Sequence, residues 1–541
     1  MFRFIVLTAA MAVALATSAP TISGQIERAT WFVDEQGSDA GAGTISDPWR
    51  TIQHAVDTAQ PGDTIRVRPG TYAGARIEKS GTAGNRIKLL GSSAVINRPG
   101  PNNKHDSNLE IETWDGDGTV AYWTISGFEV TGAPNWGIDV RGNSSNHSHH
   151  ITIQHTDVHH NGVTSIKTGI FFAFTDHVTV RENDSHHNGE HGVYLSNSGD
   201  HFTIKNNHLR SNARCGLHMN GDLSQGGDGL ISHGDVVGNR INDNGAEGCA
   251  GINMDGVTDT TIRNNVIVEN HASGIAVFRQ DGAQCSRRNQ ILNNTVVQAA
   301  GGRWALVIGG AGCVDNTVRN NVLLTRHAFR GSIEMPTADV PGLVSNNNIV
   351  ADRFTFDDGS SIVDLAGWRA ATGQDADSFV ATVESLFMAG TYRHIPGGVA
   401  EDVGAAVPNA RGFDAVKRPA GQGFDIGAYE TPYCHGERAT RIGTRNADTI
   451  RATHGADVVA ALDGPDIVMA LRGNDVVCGG NGSDFLDGHR GRDTIHGGPG
   501  LDLLRGFQAN DTLRGGEGID EARGGSGVDD CSAETVVGCE S

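Results

Sequence analysis

The chain is poor in aromatic side chains, which make up 6% of its 541 residues. Proline is scarce beside glycine, 15 residues against 74. That imbalance argues against a disordered Pro/Gly-rich chain and for many short strands broken by glycine turns. Positive charge is also in deficit: 42 Lys and Arg stand against 63 Asp and Glu, a formal net charge of −21. Such a chain repels nucleic-acid phosphates and suits cations, so a nucleic-acid partner is excluded. No CxxC pair points to a zinc ribbon, and after the N-terminus no apolar run is long enough to span a membrane.

At the N-terminus, residues 1–25 read as a signal peptide. Arg3 supplies the charged end, Phe4 to Ala16 the apolar stretch, and Thr17 to Gln25 the small and polar flank. A secreted protein is therefore expected, and its eight cysteines, an even count, suit disulfides. Four parts follow: a signal peptide at 1–25, a β domain at 26–432, a linker at 433–445 and a repeat domain at 446–541.

The repeat domain is the clearest pattern. From Asp448 an aspartate recurs every nine residues, through Asp457, Asp466, Asp475, Asp484, Asp493, Asp502, Asp511 and Asp520 to Asp529. Two residues after each stands an apolar or small residue, as at Val459, Leu486 and Leu504. Each nonapeptide is a glycine-rich turn plus a very short strand. The turn carbonyls and the carboxylate supply the hard oxygens that Ca2+ takes, six to eight at a time. The segments GGNGSDFLD (479–487), GGPGLDLLR (497–505), GGEGIDEAR (515–523) and GGSGVDDCS (524–532) resemble the RTX, or haemolysin-type, calcium-binding repeat. The resemblance implies a parallel β-roll in which repeats eighteen apart stack. Asp484, Asp502 and Asp520 would bind Ca2+, with Asp466 and Asp529. On the opposite edge Arg490 and Arg492 carry positive charge, so calcium is expected mainly on the first edge.

The larger domain opens with Thr51 to Ala59, an expected short amphipathic helix with Ile52, Ala55 and Val56 on one face. Its body repeats short strands that begin with glycine: GIDV at 137, GIFF at 169, GVYL at 192, GLHM at 216, GINM at 251 and GIAV at 274. Asparagines recur between them, at Asn206, Asn207, Asn264, Asn265, Asn293, Asn294, Asn320 and Asn321, where a turn ladder belongs. The pattern resembles the right-handed parallel β-helix of the pectate-lyase-like superfamily. The fold class expected is therefore all-β: a right-handed parallel β-helix, then a calcium-binding parallel β-roll. Stacked coils bring Cys215 to Cys249 and Cys285 to Cys313 within disulfide reach, and Cys531 and Cys539 would close the C-terminus.

Period-two alternation leaves one outward column of Asp139, Phe171, Tyr194, His218, Asn253 and Ala276. A second holds Arg141, Ala173, Ser196, Asn220, Asp255 and Phe278, with Arg279 beside it. An insert at 221–233 follows His218 directly, and insertions on one solenoid face often mark the binding face. Tyr194 and His218 are the expected proton-transfer pair, with Asn220, Asp255 and Arg279 completing the catalytic set. Asp139, Arg141, Asn253, Asp222 and Asp228 are expected to bind an extracellular polysaccharide. A β-helix joined to RTX repeats resembles alginate C5-epimerases, though their Asp-Pro-His-Asp motif is absent and no lysine base stands in the column. A polysaccharide lyase or uronate C5-epimerase is the first reading. A glycoside hydrolase using paired carboxylates from Asp139, Asp222, Asp228 and Asp255 is the second. A non-catalytic surface protein that binds glycans is the third.

Overall fold

The computed structural model describes residues 28–113, 118–408 and 411–539, and the expected signal peptide lies outside them. The expected helix is present as Ile52–Thr58, capped by the Thr51 hydroxyl, with Ile52, Ala55 and Val56 buried. Short parallel strands then wind in coils. In one turn, Val193–Asn197 is followed by Thr203–Lys205 and His208–Arg210. Each pairs in parallel with its counterpart one coil on. An eleven-stranded parallel sheet runs from Ala75–Ile77 to Phe354–Thr355 along one face. Valine, isoleucine and leucine from every coil fill the interior, including Ile204, Leu217, Ile252 and Ile275, all fully buried. Glycine opens each of these strands for lack of room: a Cβ on Gly274 would lie 2.4 Å from the Ala305 carbonyl oxygen.

The asparagines divide by role. Asn207, Asn265, Asn294 and Asn321 belong to an internal ladder with Asn239, in which each amide nitrogen donates to the next Oδ1 at 2.9–3.0 Å. Backbone N–H groups donate to the same oxygens, so the buried corner is fully hydrogen-bonded. Their neighbours Asn206, Asn264, Asn293 and Asn320 take φ between +52° and +56°, the left-handed corner that asparagine tolerates. His160 and His187 fill similar corners and stack between coils at 5.1 Å, next to the strand residues His159 and His186, which stack at 4.8 Å.

The stretch 322–432 ends the β-helix and then covers its side. Ile426, Ala428 and Tyr429 pack on Val266, Val297 and Val322, outward apolar residues of the coils. Arg418 and Glu430 form a fully buried ion pair at 2.9 Å beneath them.

The segment expected as a linker, 433–445, is structured. Tyr433–Cys434 forms a hairpin with Glu437–Arg438, and Arg441–Ile442 is already the first strand of the next sheet. Cys434 bonds to Cys478, a pair that cysteine spacing alone did not suggest, beside the three expected disulfides 215–249, 285–313 and 531–539. The C-terminal domain is two six-stranded parallel sheets with repeats eighteen residues apart in register. Val459, Val468, Val477, Leu486, Ile495, Leu504, Leu513 and Ala522 are its core. Among the described residues no helix is long and apolar enough to cross a membrane.

Candidate active groove and calcium roll

Both expected columns form on the eleven-stranded sheet. Asp139, Phe171, Tyr194, His218, Asn253 and Ala276 are register partners on successive strands. So are Arg141, Ala173, Ser196, Asn220, Asp255 and Phe278.

Tyr194 and His218 meet with ring centroids 4.5 Å apart. His191 stacks on His218 at 4.6 Å, and its Nδ1 accepts the Cys215 N–H at 3.1 Å. The Asn253 amide donates to His218 Nδ1 at 2.9 Å, which leaves the imidazole proton on Nε2. Burial, with the Arg214 guanidinium adding to it, pushes the His218 pKa down to about 3. His218 is therefore a neutral N–H donor at physiological pH. Burial raises the Tyr194 phenol, which accepts from the Asn220 amide at 3.3 Å. The Asn220 Oδ1 is buried without a hydrogen-bond partner.

The insert packs beside this group. Asp222 caps the single turn Leu223–Gln225 by accepting the Ser224 N–H, and Asp228 accepts the Leu230 N–H, each at 2.9 Å. Both aspartates thus hold the insert's own backbone. The Leu223 N–H donates to the Asp281 carbonyl, and the Ala283 N–H to the Gly229 carbonyl, so the insert docks on the 279–283 loop.

That loop hangs from Asp255. Its carboxylate is buried and accepts the N–H groups of Gln280, Asp281 and Gly282 at 2.9, 2.8 and 3.2 Å. A carboxylate so engaged positions its loop rather than offering a free base. Arg279 is exposed, with Nε donating to the Gly282 carbonyl. Asp281, absent from the sequence reading, brings Oδ2 to 3.5 Å from the Asn220 amide. Upstream, Asp139 is held by Arg141 at 2.8 Å, and that guanidinium lies over Trp136 at 4.7 Å and Phe171 at 4.9 Å. His191 and Arg214 were also not foreseen. Each sits one or two residues before a coil-opening glycine, a position that reads as turn until the stacking of coils places it behind His218.

In the roll, the aspartates form two ladders. The Asp484 N–H donates to Asp502 Oδ1, and the Asp502 N–H to Asp520 Oδ1, both at 2.9 Å. The other edge repeats this from Asp475 through Asp493 and Asp511 to Asp529. On both edges the second oxygen is buried without a hydrogen bond, at Asp466, Asp484, Asp502 and Asp520 and at Asp475, Asp493, Asp511 and Asp529. Burial raises Asp475, Asp484, Asp493, Asp502 and Asp511 to about 6. A row of desolvated, orphaned carboxylate oxygens fits a hard cation such as Ca2+. The expected asymmetry between edges is not seen at the carboxylates. Arg490 and Arg492 are exposed, and the ladder beside them keeps its orphaned oxygens.

Comparison with known proteins agrees with this architecture. Residues 442–477, 479–506 and 505–534 match the RTX calcium-binding nonapeptide repeat. A pectate lyase of Emericella nidulans is 35% identical over 136 residues, 22% of this chain and 32% of that protein, so the match spans about a third of the relative's length. An uncharacterised protein of Bacillus subtilis, YwoF, is 26% identical over 332 residues, 54% of this chain and 68% of that one. The crystal structure of pectate lyase Pel9A superposes with a TM-score of 0.48 at 18% identity, covering 74% of this chain and 96% of that one. Residues 31–303, half of the chain, match the model of the Pel9A-like right-handed β-helix region, and the protein belongs to that family.

Proposed function

We propose that the protein is an extracellular, calcium-binding polysaccharide lyase acting on a uronate-containing glycan, with its chemistry in the Tyr194–His218 groove. The observation that carries the reading is the hydrogen-bonded and packed group of Tyr194, His218, Asn220 and Asn253, beside an insert that docks on the loop of Arg279. β-Elimination needs a base for the C5 proton, an acid for the departing glycosidic oxygen, and donors for the charge that develops at the carboxylate. Tyr194, as phenolate, takes the C5 proton and hands it to the departing oxygen, so one side chain serves as base and then acid. His218 donates its Nε2–H to the substrate carboxylate as negative charge builds there. Asn220 holds the Tyr194 phenol oxygen through its amide N–H. Arg279, Arg141 and Asn253 align the chain, while Asp255, Asp222 and Asp228 hold the loops in place.

The roll binds Ca2+ through Asp466, Asp484, Asp502 and Asp520 on one edge and through Asp529 and its ladder partners on the second. It supplies calcium-dependent folding, not a chemical step. Incubation of the calcium-loaded protein with acidic and neutral polysaccharides tests the whole reading. Ultraviolet-absorbing unsaturated ends are expected from an acidic substrate. Reducing ends without absorbance would instead mean hydrolysis, and a changed uronate configuration without cleavage would mean epimerisation.

A further inference from the structure

A second cluster of ionisable side chains lies upstream on the same sheet. Glu110 is fully buried and is the register partner of Asp139. Glu112, just beyond it, is 6% exposed, and its Oε1 makes no hydrogen bond. That oxygen faces His105 Nδ1 at 3.6 Å, and His105 Nδ1 lies 3.1 Å from Asp139 Oδ2. One ligand atom from each of His105, Glu110 and Glu112 can be chosen so that all lie within 4.8 Å of one another.

From this geometry we infer a binding site for a first-row divalent transition metal such as zinc, with His105 Nδ1 and the Glu110 and Glu112 carboxylates as ligands. Two ligands of one tetrahedral zinc stand about 3.3 Å apart, close to the His105–Glu112 spacing. The Glu110 oxygens accept the backbone N–H groups of Lys104 and His105, at 2.8 and 2.5 Å, and a carboxylate keeps further lone pairs for a metal. Charge agrees with a cation. Three carboxylates, Glu110, Glu112 and Asp139, face two guanidiniums, and Arg76 is shared with Glu78 at 3.1 Å. Arg141 holds Asp139, so Asp139 is not counted among the ligands, and its contact with His105 Nδ1 is the one that the metal would replace. A mixed nitrogen and oxygen donor set favours zinc-like ions over the all-oxygen ligation that Ca2+ prefers. The site is thus chemically separate from the roll. It stands four strands from His218, about 19 Å at the usual strand spacing. That is too far to join proton transfer, so the ion would fix the 104–108 turn against the strand Leu109–Ile111.

Isothermal titration of zinc into the full-length, calcium-saturated protein tests this. Wild type is expected to show one tight zinc class. His105→Ala and Glu112→Gln should each weaken it at least about tenfold, a change of about 1.4 kcal/mol. The double variant His159→Ala/His186→Ala should leave it intact, which separates it from the surface histidine stacks. Circular dichroism first matches each variant to wild type; if His105→Ala fails to fold, the isosteric Glu112→Gln decides. No zinc bound in the presence of calcium, or wild-type affinity in Glu112→Gln, would overturn the inference.

Discussion

Asn253 donates its side-chain N–H to His218 Nδ1 at 2.9 Å, across adjacent parallel strands, and so fixes which imidazole nitrogen keeps the proton. The bond makes His218 a donor, and in the proposed mechanism proton abstraction then falls to Tyr194. His218→Gln, which retains an amide N–H, should keep part of the activity, whereas His218→Ala should lose about 10²-fold or more, the scale of removing one charge-stabilising donor. Steady-state rates on the same polysaccharide check this. Equal losses in the two variants would show that a base, not a donor, had been removed.

The pH profile should carry the signature of a phenol. Burial raises the Tyr194 pKa above its ordinary value of 10, and a base works only when deprotonated. The rate is therefore expected to climb with pH from neutral into the alkaline range. No inflection is expected near 6.5, because His218 titrates at about 3. A rate plateau with a midpoint between pH 6 and 7 would contradict the assignment.

Calcium and protons should compete in the roll. The folded pKa values of Asp475, Asp484, Asp493, Asp502 and Asp511 are raised to about 6, above their ordinary 3.8. Groups raised in this way favour the folded state most below about 3.9, and that favour is lost as pH rises through the folded value. With a chelator present, amide hydrogen exchange in 446–539 should be slow near pH 4 and, corrected for intrinsic rates, become faster above pH 6. Added Ca2+ should restore protection at pH 7. Protection at pH 7 that is indifferent to calcium would contradict the site.

The asparagine ladder offers a stability test. Asn265→Ala removes an acceptor shared by the Asn239 backbone and side-chain N–H groups and strands them in the interior. Its expected cost is about 2–3 kcal/mol. Asn206→Gly, at a corner with φ of +55°, should change stability by less than about 0.5 kcal/mol, since glycine takes that conformation freely. Urea melts of the two variants make the comparison.

Much of this was legible from the residues. Glycine at 192, 216, 251 and 274 sets the strand starts, and period two then dictates that Tyr194, His218 and Asn253 share a column. The nine-residue aspartate period likewise dictates the roll. What escaped was whatever depends on contacts between coils. Asp255 looks like a free carboxylate until the 279–283 loop folds back and three N–H groups reach it. Arg490 looks like a replacement for a cation until its side chain is seen to lie outside the ladder. Cys434 gives no hint of Cys478, because the intervening chain first winds through the start of the roll. The direction of the Asn253–His218 bond is invisible to spacing, yet the proposed roles of His218 and Tyr194 rest on it.

Tyr194→Phe tests the central claim most directly, because it removes one oxygen and leaves the ring packed against His218. Wild-type protein and the variant, both calcium-loaded, are incubated with the acidic polysaccharide that wild type cleaves, and ultraviolet absorbance of unsaturated ends is followed. The account predicts steady product from wild type and none above background from Tyr194→Phe, with substrate binding retained. Undiminished product from Tyr194→Phe would contradict it.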